Sequence, residues 1–314
     1  MFTPSRLTLA RTRRGLTAAE LARKAGVTAG AITEYERGQR RPQQATQEVL
    51  AAALGFPVTF LSAPEPAQPQ AISTPRPEAV CVAQLAIEFS GWLERMFVLP
   101  QPDLPRPRTG PAEVRGQWRM STGPAPNMVQ LLEYHGVRVF SVDCAGVGAF
   151  SCWHNGTPFV FLDPATTAER ARFDAAVELG TLLGHEEPEE FAAEFLMPMT
   201  QLEGTHHRHW HVDKEMFDER ARGVVTAPTT AVGMRRETSK LLTKVFRALF
   251  RALRENGTTH AAPGGARADV GVGGPQRARV RVGADGVAGW WRTRTGAQGT
   301  PYPGALMSFW GKQC

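Results

Sequence analysis

Cysteine is scarce and scattered: Cys81, Cys144, Cys152 and Cys314 are spread over 314 residues with no C-x-x-C pair. That spacing offers no disulfide framework and no paired thiol motif, and it reads as buried or idle thiols in a reducing cytosol. No apolar run approaches the roughly 18 residues that a membrane-spanning helix needs. The first residues turn polar and basic at once, without the apolar stretch of a secretory signal. Cytoplasmic residence is the expectation. What is present is length enough for two domains plus tails, a hydrophobic fraction of 42 % and a net charge of +6 with a pI near 9.5. Such a charge suits a polyanionic partner without naming one.

Residues 1–62 pattern as a compact helical domain. Thr3-Pro4 reads as an N-cap followed by proline at the first helical position. Thr17 and Glu20 have the spacing of a capping box, and Leu21, Ala22 and Ala25 form a stripe for burial. Gly26-Val27 makes a tight corner, and Thr28 caps a third helix with Ile32 and Tyr35 on its apolar face. A fourth helix is expected over 44–54, with Phe60-Leu61 closing the core. Residues 63–78 are a proline-punctuated linker. Beyond it, helices are expected over 84–97, 126–134, 167–184 and 188–197. A strand is expected over 137–142, with a hairpin of 149–153 and 158–162 about an Asn155-Gly156 turn.

The run Leu16-Thr17-x-x-Glu20-Leu21-Ala22-x-x-Ala25-Gly26-Val27-Thr28-x-x-x-Ile32-x-x-Tyr35-Glu36-x-Gly38, with Leu54-Gly55-Phe56-Pro57-x-x-Phe60-Leu61, resembles the helix-turn-helix of the XRE (Cro/C1-type) repressors. The resemblance covers nearly all of residues 6–61. It implies double-stranded DNA as the partner, with the third helix in the major groove. The base-facing positions would be Thr28, Ala29, Gly30 and Thr33, and Arg37, Arg40 and Arg41 would meet phosphates. These base-facing side chains are small, and Ala18 stands where the family often has glutamine, so discrimination is expected to be modest or to lean on DNA shape. Residues 1–62 hold nine basic and four acidic side chains, which fits a phosphate footprint. The alternative is a small helical domain that binds protein. Repressors of this type often sit as dimers on two-fold sites, so a homodimer is a further expectation.

Residues 172–185 read as a metallopeptidase helix without its metal ligands. The pattern H-E-x-x-H places two imidazoles four apart on one helix face for a single zinc. Here those positions are Val177 and Thr181, while the intervening Glu178 remains. The surrounding blocks, among them Arg172-Phe173-Asp174-Ala175-Ala176 and Phe191-Ala192-Ala193-Glu194-Phe195-Leu196-Met197-Pro198, resemble the ImmA/IrrE family of helix-turn-helix-linked metallopeptidases over 114–198. The resemblance implies zinc and cleavage of repressor-type proteins in the parent family. In this chain it implies no cofactor, with Glu178 a vestigial general base and the domain serving sensing, dimerisation or binding of a protein partner. The competing expectation is an active zinc enzyme with replacement ligands, for which His185, Glu187 and the histidines at 206, 207, 209 and 211 are candidates.

The expected fold is therefore mainly α, in five segments. A five-helix lambda-repressor-like domain (1–62) and the linker (63–78) precede an α+β zincin-like domain (79–200). A histidine-rich loop with a basic amphipathic helix (201–256) and a disordered basic tail (257–314) follow. The basic helix, over 234–255, could pack on the second domain, lie on an anionic membrane, bind nucleic acid or dock on a partner. In the tail, seven basic and two acidic residues sit among Gly, Ala and Val without any period.

Overall fold

A computed structural model describes residues 1–120, 125–144 and 146–198. The histidine cluster at 206–211, the basic helix at 234–255 and the tail from 257 lie outside the described residues.

The N-terminal domain comprises α1 (Pro4–Arg13), α2 (Ala18–Ala25), α3 (Ala29–Glu36), α4 (Gln44–Leu54) and a closing 3-10 turn over Val58–Ser62. The capping box is formed: Thr17 accepts from the Glu20 amide, and the Glu20 carboxylate accepts from the Thr17 amide. Gly26 ends α2 at φ 66, a left-handed conformation that a Cβ would strain. The Thr28 oxygen accepts from the Ala31 amide and starts α3. Leu7, Leu21, Ile32, Leu50 and Leu61 are fully enclosed. Thr3 stands at the N-cap of α1 but makes no side-chain cap. Its hydroxyl donates instead to the Ala63 carbonyl at 2.6 Å, tying the start of the chain to the end of the domain.

The helix expected over 84–97 is longer, running as α5 over Pro77–Met96. Pro77 sits at its start, where a missing N–H costs nothing, so the last proline of the linker opens a helix. α5 is buried on two adjacent stripes. Cys81 and Leu85 belong to the N-terminal core, and Glu88 pairs with buried Arg6 of α1 at 2.7 Å. Val82, Ala86, Phe89 and Leu93 belong to the core of the second domain.

A short helix that the sequence reading passed over, α6 (Pro111–Gln117), follows a proline-rich stretch. Then come α7 (Met128–Tyr134), β1 (Arg138–Ser141), β2 (Phe150–His154), β3 (Thr157–Leu162), α8 (Ala168–Leu182) and α9 (Pro188–Leu196). The sheet order is β1-β3-β2, with β3 parallel to β1 and antiparallel to β2. Asn155 and Gly156 both have positive φ, as a two-residue hairpin turn demands. Alternation along β3 sends Phe159 and Phe161 to the α5 side and Val160 and Leu162 to the helices α7, α8 and α9. Both faces of the sheet are thus covered. α8 and α9 cross closely at Gly180, where a Cβ would stand 3.0 Å from the Phe191 ring. The fold is mainly helical, with one small three-stranded sheet among the described residues.

Candidate functional sites

In the N-terminal domain, Thr28, Ala29 and Gly30 lie exposed at the start of α3, and Thr33 is half-buried one turn later. The Thr33 hydroxyl donates to the Ala29 carbonyl at 3.1 Å, which leaves its methyl and lone pairs for a partner. Arg37, Arg40 and Arg41 are exposed at and beyond the end of α3. Arg40 is held loosely, 3.7 Å from Glu34 and 6.0 Å from the Tyr35 ring centre. The structure sorts eight of the nine basic residues into two groups. Arg6 bonds the Pro64 carbonyl and Glu88, Arg11 makes a two-pronged contact with Glu36, and Arg14 bonds the carbonyls of Leu54 and Gly55. All three tie α1 to other parts of the fold, although the Arg14 side chain is itself exposed. Arg23, Lys24, Arg37, Arg40 and Arg41 remain exposed. The footprint available to phosphates is therefore narrower than nine basic residues imply.

In the second domain Glu178 lies in the middle of α8 with only 6 % of its surface exposed. Burial pushes its carboxyl up to about 7, opposed by the hydroxyls of Ser151 on β2 and Ser73 in the linker, while Asp174 and Glu189 push it further up. Its Oε2 and the Ser151 Oγ are both buried. Asp174, one turn earlier, is also raised by burial, against the pull of Arg170 at 2.7 Å. Ser73 and Ser151 carry no sequence signal of their own. Only the pairing of the linker with β2 brings them to the carboxylate.

Val177 packs half-buried against the helical core, and the Thr181 hydroxyl donates to the Val177 carbonyl at 3.1 Å, a bond within the helix. His185 does not share the face of Glu178, because α8 ends at Leu182 and the chain turns at Gly184, φ 74. Its ring lies 4.6 Å from that of Phe191, and Nε2 is 2.9 Å from the Thr109 carbonyl oxygen. Glu187 stands at the N-cap of α9, exposed. Among the described residues, no group of three or more His, Cys, Asp or Glu is arranged to hold a metal ion. Val177 and Thr181 offer no imidazole to a zinc centre of the H-E-x-x-H type.

Two family models match the chain. A helix-turn-helix domain matches residues 5–61, and an IrrE N-terminal-like domain matches residues 132–224. The second match continues beyond residue 200, past the boundary drawn from sequence and past the described residues. No curated protein and no solved structure gave a match. Among the described residues no helix is long and apolar enough to cross a membrane. The chain joins an XRE-type, DNA-binding helix-turn-helix domain to an IrrE N-terminal-like domain.

Proposed function

We propose that this protein is a cytoplasmic transcriptional regulator that reads DNA through α3 and uses its IrrE-like domain as a non-catalytic module for sensing, dimerisation or partner binding. The observation that carries the DNA reading is the exposed face of Thr28, Ala29 and Gly30, flanked by exposed Arg37, Arg40 and Arg41. Small residues let the helix sit deep in the groove while the arginines neutralise phosphates on its rim. The short hydroxyls of Thr28 and Thr33 bond a base edge or touch a thymine methyl, and Ala29 packs. Sequence preference then comes in part from the shape and deformability of the site. A homodimer on a two-fold site is part of this reading.

Selection of bound DNA from a random pool, followed by a salt titration, tests it. Affinity should fall steeply with salt, with a log–log slope of about −0.9 per phosphate neutralised. Binding that ignores salt, or a pool with no enriched sequence, would sink it.

The reading of the second domain rests on Val177 and Thr181, which leave the helix without imidazoles at the two ligand positions. One observation favours a peptidase with replacement ligands: Glu178, raised to about 7, has the proton affinity of a general base working near neutrality. Chelator-sensitive cleavage of a repressor-like protein, abolished by Glu178→Gln, would establish that alternative.

A further inference from the structure

Gly30 stands where the fold asks for no glycine. It lies exposed in the first turn of α3, and its φ is not left-handed. A Cβ built there would meet only the Thr28 Oγ, at 4.0 Å, which is ordinary contact. At Gly26, by contrast, φ 66 favours a residue without a Cβ. Glycine weakens a helix relative to alanine, so a methyl side chain at position 30 would help the fold and obstruct nothing within it. Nothing inside the domain uses the empty space.

The surroundings of that space are methyl groups. Thr33 lies three residues after Gly30 and four after Ala29, which places it beside both on the surface of α3. The Thr33 hydroxyl donates to the Ala29 carbonyl at 3.1 Å, and the Thr28 hydroxyl accepts from the Ala31 amide at 3.2 Å. Both hydroxyls are thus tied to the backbone of the helix, and the methyl groups are the less committed part of each threonine. Glu34, four residues after Gly30, pairs with Arg40 at 3.7 Å. No side chain at 28, 29, 30 or 33 has the paired hydrogen-bonding groups that grip guanine or adenine in two-pronged fashion. The apolar feature of the major groove is the 5-methyl group of thymine. A 5-methylcytosine presents the same group.

We propose that the space above Gly30, bounded by the methyl groups of Ala29 and Thr33, is a notch that takes the 5-methyl group of a pyrimidine, so that the DNA bound carries a 5-methylpyrimidine at that step of the major groove. The notch rests on the reading of α3 as the DNA-reading helix and names the base edge it selects. A Cβ at position 30 would stand where that methyl group sits and hold the helix out of the groove. Without the pyrimidine methyl, the apolar contact with Ala29 and Thr33 is lost.

The test uses the full chain and the duplex enriched from a random pool. Each thymine is replaced in turn by deoxyuridine, which removes the methyl group and keeps every hydrogen-bonding atom. At one position or more, affinity should fall about fourfold, the worth of one buried methyl group. Replacing that thymine–adenine pair by a 5-methylcytosine–guanine pair should cost less than replacing it by a cytosine–guanine pair. Equal costs would restrict the notch to thymine. Gly30→Ala should keep or raise the melting temperature, bind the thymine duplex several-fold more weakly, and no longer distinguish thymine from uracil. Thr33→Ser, which keeps the hydroxyl and removes one wall, should narrow that distinction without abolishing DNA binding. Uracil tolerated at every thymine, an enriched site with no thymine, or native binding by Gly30→Ala would overturn the notch and leave the DNA reading standing. A pool with no enriched duplex would overturn both.

Discussion

Two buried ionisable groups, Arg6 in the N-terminal domain and Glu178 in the second, are handled differently. In the N-terminal domain, Arg6, Arg11 and Arg14 each reach a carboxylate or a carbonyl at hydrogen-bond distance, and the bonds join α1 to α3, to the end of α4 and to α5. In the second domain Glu178 is enclosed with the hydroxyls of Ser151 and Ser73 set against its burial, and the carboxyl still rises to about 7. Satisfied internal charges make a rigid frame on which an exposed helix can present its side chains. A carboxyl kept uncharged by burial is costly when ionised, and such cost accumulates at sites that bind or once did chemistry.

Whether the domains are energetically separate is decided at α5, and the largest effect is expected there. Phe89 is fully buried against Trp92 and Phe140, so Phe89→Ala should cost about 3–5 kcal/mol. Because Cys81 and Leu85 on the same helix complete the N-terminal core, calorimetry should show the transitions of both domains moving down together. An N-terminal transition that keeps its native midpoint would break the coupling and restore two independent units.

The next effect sharpens the contrast in charge. The folded chain holds the Glu178 proton up to about pH 7, whereas an unfolded chain releases it near 4.5. The folded state binds more protons between those values, so stability falls as pH rises from about 4.5 to 7, by about 3 kcal/mol at most. Asp174, also raised by burial, contributes with the same sign. His135 works the other way: burial lowers its pKa below 6.5, so its share of stability is lost on acidification. Glu178→Gln should abolish most of the decline towards neutral pH and leave the contribution of His135. Denaturant melts at pH 5 and pH 8 would show it, and an unchanged difference between the two would contradict the burial of an ionisable Glu178.

Smaller effects belong to the DNA-reading face. Thr28→Ala removes the cap of α3 and should cost about 1 kcal/mol in thermal melts, together with part of the DNA affinity. Affinity lost without any change in stability would assign Thr28 to DNA alone. Arg41→Ala should leave the melting temperature unchanged and lower the salt slope of DNA binding by about 1. An unchanged slope would remove Arg41 from the phosphate footprint.

Much of the first domain was legible because its signals are local. The Thr17–Glu20 box, the left-handed Gly26 and Gly55 and the Thr28 cap each act within a few residues, and α4 runs over Gln44–Leu54 as expected. The hairpin about Asn155-Gly156 was readable for the same reason. Long-range competition defeated other readings. Thr3 looked like a cap, but the Ala63 carbonyl took its hydroxyl. Pro77 lies in the stretch expected as a linker, yet it opens a helix, as Pro111 also does, since proline is tolerated in a first turn and excluded only further in. His185 shared a helical spacing with Glu178 until the helix stopped three residues short of it.

The sequence by itself determined the kinds of element, the helix-turn-helix corner and the presence of valine and threonine at two positions where an H-E-x-x-H helix needs imidazoles. Those follow from residue type at short spacing, which backbone geometry converts directly into structure. The tertiary structure alone decided which arginines are spent inside, that α5 serves two cores, and that a linker serine, Ser73, pairs with Ser151 of β2 beside Glu178 of α8. These depend on contacts between residues dozens of positions apart, where side-chain chemistry permits many partners and only packing selects one.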